Sequence, residues 1–433
     1  MSSAIRFMPP MRPKRRRWRR RFSLDRRMVI TINYGDKKLN LNLPDHVHLD
    51  EFRHDPAGDT VDIDAFMQAL SSVRPVPFDI KEADLYVVND AYRQTPSAKV
   101  LTWLDRAGRL NRKARFLIAT GSHQAPSPAQ LEKIFGSIMA EIENNIIVHD
   151  AEDYDSMVEA GRDSDGHPVY LNRVLLEAER VVVIGSVEPH YFAGFTGGRK
   201  SIFPGLCDLE TIVRNHNRAV SFEAMPMKLN GNPIEEDLRK LMKLFSCEKI
   251  LSIQMVLASE TEIQAVFVGG LQDTFERACI AARQLYGKNV SGKYDLLLAE
   301  ALPPLDANLY QLQKSLENSQ SAVVDDGAVV LFSPCHEGIG SKDFYRLADN
   351  WVPSEDAMPE GRASFGVHKL SRVFRIGRRI NVYLYSDLPG GVADKVYFKS
   401  ISDPQGLIDK LVEKNKILRA ALVRDSGQTV LAN

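Results

Sequence analysis

The chain has 433 residues, 44% of them hydrophobic and 26% charged, and its formal net charge is zero. That is ordinary globular usage, long enough for two or three buried cores, and it excludes fibrous, low-complexity and disulfide-framework classes. The neutrality hides an asymmetry, because residues 1–27 hold ten Arg and one Lys against one Asp, leaving the rest net acidic and without reason to bind nucleic acid.

The basic stretch centred on Arg15-Arg16-Arg17-Trp18-Arg19-Arg20-Arg21 reads as a disordered extension over 1–27, with a nucleic-acid or membrane-surface arm as the alternative. No apolar segment of signal-peptide length follows it, and no window approaches the roughly 20 apolar residues that cross a bilayer. A cytoplasmic protein without a membrane partner is expected. From Val29, alternating residues turn through Gly35-Asp36 into Leu39-Leu41-Leu43, a β-hairpin pattern. His46, His48 and His54 follow, and without settled carboxylate or cysteine partners they read as solvated loop histidines. A helix is expected over Ile63–Val73. Apolar strands then end at Asn89, at Ala119 and, from Val181 to Ile184, just before Glu188, with helical periodicity between them.

Strand, helix and strand again describe parallel βαβ units, whose ligands bind beyond the carboxyl ends of the strands. Asp90, Arg93, His123 and His190 each follow an apolar strand closely, so three distant regions are expected to converge at one sheet edge. Helices are expected over Pro128–Ile142 and Ile234–Leu244, strands over Leu251–Leu257 and Ile263–Val268, and a polar, glycine-rich linker around Gly287–Lys293. Beyond it, strands at Tyr294–Leu298 and Ala328–Phe332 flank a helix at Asn308–Leu316. A late strand is expected at Val392–Phe398, and Ser402 is expected to cap a final helix from Pro404. The expected architecture is two α/β domains with largely parallel sheets and the active site in the cleft between them. Their bounds are 28–288 and 289–400, and 401–433 is a helical segment packing back on the N-terminal domain. Cys207, Cys247, Cys279 and Cys335 lack C-x-x-C spacing and read as reduced thiols.

The richest segment is Glu188-Pro189-His190-Tyr191-Phe192-Ala193-Gly194-Phe195-Thr196-Gly197-Gly198-Arg199-Lys200, followed by Pro204-Gly205 and by His216. Glycines let a backbone approach a ligand and free its N–H groups for an anion, imidazole ligates metals, and lysine can anchor a cofactor covalently. Taken singly, His123 reads as satisfying the turn after its strand, His190 as a loop residue capping backbone groups and His216 as an ordinary helix histidine, with Arg93 and Lys314 as solvated charges.

Together with Asp90-Ala91-Tyr92-Arg93, Ala119-Thr120-Gly121-Ser122-His123, the Asp306–Lys314 segment and Cys335-His336-Glu337-Gly338, the H-x9-K-x15-H pattern resembles the lactate racemase family. The motifs stand in family order from about Met28 onward. The resemblance implies an isomerase that racemises or epimerises a small 2-hydroxy acid through a nickel-pincer nucleotide (a pyridinium-3-thioamide-5-thiocarboxylate mononucleotide of nickel) attached at Lys200. It assigns His123 and His190 as proton-transfer groups and His216 as the metal ligand. Asp90, Gly197, Gly198 and Lys200 fall to the cofactor, and Arg93, Tyr310, Gln311 and Lys314 to the substrate. Cofactor-biosynthesis proteins would be loading partners. Arg74-Pro75-Val76-Pro77 mimics a family string without the preceding strand and is a decoy. Tyr92, Gln94, Gln124 and Ala301-Leu302 depart from the family pattern, which puts lactate itself in doubt as the substrate. The alternatives are a metal-dependent hydrolase or lyase using the same histidines, and a ligand- or nucleic-acid-binding protein acting through the basic extension.

Overall fold

The computed structural model describes residues 27–54, 56, 58–73, 77–353, 366–415, 417 and 419–432. The basic extension and the string at 74–77 lie outside the described residues, apart from Arg27 and Pro77. Two six-stranded sheets organise the rest. The first has the order Ile263–Gly269, Ile250–Leu257, Val181–Ser186, Leu85–Asn89, Arg115–Ala119, Ile146–Val148, and every neighbour is parallel except the antiparallel Ile263–Gly269. Its central strands are covered on both faces, which is why they read as unbroken apolar runs rather than alternating ones. Leu85, Val87, Val181 and Val183 pack against Leu171, Phe203, Ile212 and Ile234 on one side. Tyr86, Val88, Val182 and Ile184 pack against Phe66, Leu101 and Phe135 on the other. At about 1.5–3 kcal/mol for each large apolar side chain buried, these two layers dominate the stability of the unit.

The chain runs outward from Leu85–Asn89 through Arg115–Ala119 to Ile146–Val148, then returns to the opposite side of Leu85–Asn89 with Val181–Ser186. The sheet order therefore reverses between Leu85–Asn89 and Val181–Ser186, and such a reversal opens a crevice at the carboxyl ends of the strands. Side chains stitch its two lips together. Thr95 Oγ1 donates to Asn89 Oδ1 at 2.9 Å and lies 2.8 Å from Ser186 Oγ. Ser186 Oγ in turn donates to Glu188 Oε1 at 3.1 Å.

The second sheet is parallel throughout, in the order Lys399–Ile401, Asn381–Tyr385, Val323–Phe332, Tyr294–Glu300, Arg419–Val423, His48–Phe52. Two expectations about its extent are corrected here. Residues 401–433 are not simply helical, because after the helix Pro404–Asn415 the strand Arg419–Val423 enters the sheet and Val430–Ala432 pairs with Gly287–Asn289. The run Ala420-Ala421-Leu422-Val423 is fully buried and has no alternation to betray it. Nor do residues 28–52 join the first unit. The hairpin Arg27–Tyr34/Lys37–Pro44 packs Ile30, Ile32, Leu41 and Leu43 on Leu296, Leu298 and Leu422, and His48–Phe52 extends the second sheet.

Smaller corrections have local causes. The helix expected to Ile142 stops at Phe135, where Gly136 turns to φ +57. The late strand is Lys399–Ile401 rather than Val392–Phe398, since Tyr397 adopts φ 70 and breaks extension. Asp403, not Ser402, caps the last helix by accepting from the Gly406 N–H at 2.9 Å. No helix among the described residues is long and apolar enough to cross a membrane.

Candidate active site

One cleft at the carboxyl ends of the first sheet is lined by Asp90, Arg93, His123, His190, Gly197, Lys200 and His216, which come from four separate stretches of sequence. The loop carrying His123 is drawn to the lysine loop by a backbone bond from the Gly121 N–H to the Gly205 carbonyl, 3.0 Å. Thr120 holds the other end through Oγ1, which donates to the His149 carbonyl at 2.6 Å. His149 is a satisfied core histidine, 3.1 Å from the Cys207 carbonyl and 3.2 Å from Asn172 Nδ2. Cys207, next to the site in sequence, has its buried thiol directed at the Pro204 carbonyl, and burial pushes its pKa well up.

The two imidazoles assigned to proton transfer differ in setting. His123 Nδ1 lies 2.6 Å from Asp90 Oδ2, with the ring 43% and the carboxylate 4% exposed. The exposed Tyr92 ring sits 4.8 Å from it. With Nδ1–H directed at a carboxylate, the neutral ring presents Nε2 as a base. His190 is buried, and its Nδ1 accepts from the Ala193 N–H at 3.2 Å, so the neutral ring carries its proton on Nε2. Burial holds its pKa well below the usual range, and Lys200, Arg93, Lys314 and His216 add to the effect.

Phe192 is a hub. Its ring centroid lies 4.5 Å from His190, 5.0 Å from His216 and 5.4 Å from His368, and the Lys200 Nζ stands 5.7 Å from it. His216 occupies the last turn of the helix Leu209–Asn217. Its pKa is pushed down to about 3 by burial and by Lys200, with the Ile212 carbonyl acting in the opposite direction. Lys200 is likewise held well below the usual amine range by burial, then by Arg93, Arg199 and Lys314. Lys314 is lowered to about 8 by burial and Arg93, against Glu188. Burial raises Glu188, which Arg93 and Lys314 oppose. Basic side chains outnumber acidic ones around the cleft, and Arg93 gives it a fixed positive charge suited to anionic ligands.

Arg93 and Lys314 act on the same His190 and Lys200 although they come from different units. Lys314 lies on the helix Leu309–Ser319, whose N-terminus is built by motif residues with structural work. Asn308 Oδ1 accepts from the Gln311 N–H at 3.0 Å, and its Nδ2 donates to Glu337 Oε2 at 3.0 Å. The Leu309 N–H donates to the Gly338 carbonyl, 3.0 Å. Tyr310 faces Phe344 and the buried Lys369, whose Nζ is 3.9 Å from the phenol ring centroid and 2.9 Å from the Tyr310 carbonyl. Gln311 takes part through its backbone N–H in that cap.

The glycine expectation needs one correction. The Gly198 N–H is engaged by Gln254 Oε1 at 2.8 Å and is not free for an anion. Gly198 is required by packing instead, since a Cβ there would stand 2.6 Å from the Phe275 ring. Gly197 does line the cleft, at φ +73, with the Ser186 carbonyl 2.5 Å from where a Cβ would be. Arg199, one residue before the lysine, is buried in an ion pair with Glu235 and stacks 4.1 Å from Phe275. His368 and Lys369 escape the sequence reading, and Glu188 enters it only as the first residue of its segment. Glu188 begins the quoted segment and could have been weighed as an acid beside the cations, whereas His368-Lys369 carries no local signal.

Among the described residues no three His, Cys, Asp or Glu side chains are grouped to hold a metal ion. A metal here would take only part of its coordination from the protein. His216, a neutral imidazole beside an amine in an electropositive cleft, fits one that arrives inside an anionic organic ligand.

This doubly wound fold, with a cleft of paired imidazoles and cations at its switch point, defines an enzyme of the α/β class. The sequence profile of the lactate racemase N-terminal domain matches residues 34–226 and that of the lactate racemase C-terminal domain matches residues 297–363. The lactate racemase of Thermoanaerobacterium thermosaccharolyticum is 29% identical over 346 residues, 76% of this chain and 80% of that protein. The lactate racemase of Lactiplantibacillus plantarum is 29% identical over 248 residues, 56% and 57% of the two chains. The chain belongs to the lactate racemase family. Its fold is that of the T. thermosaccharolyticum lactate racemase apoprotein, with a TM-score of 0.80 at 23% identity over 94% of this chain and 100% of the other. A protein from Thermotoga maritima shares it at a TM-score of 0.67 and 17% identity, over 87% of this chain and 99% of the other.

Proposed function

We propose that the protein is a racemase of lactate-like 2-hydroxy acids, working by proton-coupled hydride transfer with a nickel-pincer nucleotide joined to Lys200 and ligated by His216. The observation that carries this reading is the lining of one cleft by His123, His190, Arg93, Lys200 and His216. Inverting C2 of a 2-hydroxy acid by proton removal alone would place a carbanion beside a carboxylate. The bound nucleotide supplies a hydride acceptor and donor, which avoids that charge.

The residues supply the rest. Arg93, which lines the cleft, suits a bidentate grip on the substrate carboxylate, and Lys314, lowered to about 8, would polarise the 2-oxygen. His123, held by Asp90, takes the hydroxyl proton at Nε2 as the C–H bond breaks, and an imidazole returns it when the opposite face is attacked. His190 presents Nε2–H, so it first donates to the substrate oxygen. For it to act as the base, the Ala193 N–H must release Nδ1 and the ring proton must move there. Apposition of the second unit's helix excludes water from the reacting carbon.

The test uses full-length protein produced in a host that makes the cofactor. Nickel content, the intact mass of the peptide containing Lys200 and the loss of optical rotation from single-enantiomer lactate are measured together. Nickel, an added mass and racemisation are expected. Protein with neither nickel nor added mass would rule out the cofactor. Loaded protein that leaves lactate and larger 2-hydroxy acids optically unchanged would rule out the reaction.

A further inference from the structure

The helix Val367–Arg379 belongs to the second unit, yet one of its faces addresses the segment that carries His216 in the first. Arg372 is buried, and its Nε and Nη2 donate to Glu317 Oε1 and Oε2 at 2.6 and 2.7 Å, a bidentate pair that uses one edge of the guanidinium. The remaining nitrogen, Nη1, crosses to the first unit and donates to the Ala219 carbonyl at 2.9 Å and the Ser221 carbonyl at 3.1 Å. One turn later, Arg375 Nη1 donates to the Val220 carbonyl between them at 2.7 Å. Three consecutive carbonyls are thus held from the opposite unit, at the end of the 3-10 turn Arg218–Val220 that continues the helix ending with His216 and Asn217. The C-terminal end of a helix carries partial negative charge, so two guanidinium groups there are favourably placed. One turn before Arg372, the His368 Nε2 is hydrogen-bonded to the Tyr191 hydroxyl at 3.2 Å, and its ring centroid lies 6.0 Å from that of His216.

We propose that Arg372 is a positioning residue for His216, with Glu317 orienting its fork and Arg375 as a second tether. Docking of the second unit then sets where the imidazole stands. The placement rests on the hydrogen bonds alone; its consequence for nickel rests on the reading of His216 as the ligand. A guanidinium suits the place because four acceptors lie on two sides of it, both Glu317 oxygens and two carbonyls, whereas a lysine ammonium has three donors on a single nitrogen.

Amide hydrogen exchange on the full-length, unloaded chain tests the placement, comparing wild type with Arg372→Lys and with the milder Arg375→Gln. Exchange over residues 209–224 is expected to rise about tenfold or more in Arg372→Lys and by a smaller factor in Arg375→Gln, while the strand Arg115–Ala119 keeps its protection. Unchanged exchange over 209–224 in both variants would overturn the proposal, as would an equal rise in every segment, which would mark general destabilisation. Nickel retained per chain after dialysis of loaded protein is the second readout, expected to fall in the same order with kcat lowered more than KM is changed. Wild-type protein that binds no nickel would refute the cofactor assignment and leave the exchange result to decide the positioning role.

Discussion

Asp90→Asn isolates the contribution of the carboxylate behind His123 without changing the size of the side chain. The 2.6 Å contact joins a buried oxygen to an imidazole that becomes cationic when it accepts the substrate proton. A hydrogen bond between charged partners contributes about 1.5–3 kcal/mol, and Asn offers a neutral carbonyl or an N–H that meets the wrong tautomer. At about 1.36 kcal/mol per tenfold in rate, the expected loss in kcat/KM is about 10- to 150-fold. Enantiomers have equal free energies, so kcat/KM must fall by the same factor starting from either one; kcat and KM separately are free to differ. The assay follows optical rotation of each lactate enantiomer at saturating and limiting concentration, normalised to nickel per chain so that a loading defect is not mistaken for a chemical one. A loss below about threefold in normalised kcat/KM would refute the role given to the pair.

Gly198→Ala places a Cβ 2.6 Å from the Phe275 ring at φ +54. About 1–2 kcal/mol for the left-handed backbone and about 1–3 kcal/mol for overpacking predict a loss near 2–5 kcal/mol by denaturant titration; a loss under 1 kcal/mol would show that the contact relaxes freely. Asp425→Asn should stabilise the protein at neutral pH. Burial and Glu300 raise Asp425 from its ordinary 3.8 to about 6, against bonds from the Gln428 and Gly427 N–H groups, with His54 Nδ1 3.7 Å away. The folded state therefore binds this proton more tightly, so the residue's contribution is full below about 3.8 and is lost as pH rises through about 6, a ceiling of about 3 kcal/mol. Asn also tolerates the left-handed φ of 46 at this position. The gain should be largest at pH 8 and vanish near pH 4, and a pH-independent change in melting temperature would contradict the assignment.

The convergence of Asp90, Arg93, His123 and His190 was legible because each follows an apolar strand, and parallel strands bring their carboxyl ends to one edge. The ordered motifs added Lys200, His216 and the Asn308–Lys314 segment. What stayed illegible depends on distance in sequence. Nothing in Val367–Arg379 marks Arg372 as a partner of the Ala219 carbonyl, since a basic helix face reads as solvated until the opposing unit is known. His48–Phe52 gave no hint that its neighbour is Arg419–Val423, because strand pairing across a whole chain leaves no local pattern. Motif membership also misled at Gly198, where the glycine answers to the bulk of Phe275.

The insertion of His48–Phe52 beside Arg419–Val423 bears on how the protein comes off the ribosome. Asp50 and its partner Arg419 are 369 positions apart, so the edge strand made first waits unpaired until the residues near 419 have emerged. The first sheet, drawn entirely from residues 85–269, has no such dependence and can assemble during synthesis. Closing so long a loop is slow even when its entropic cost grows only with the logarithm of length. The nascent chain thus carries an early, self-sufficient half and a late half that is sealed only once Arg419–Val423 has been made.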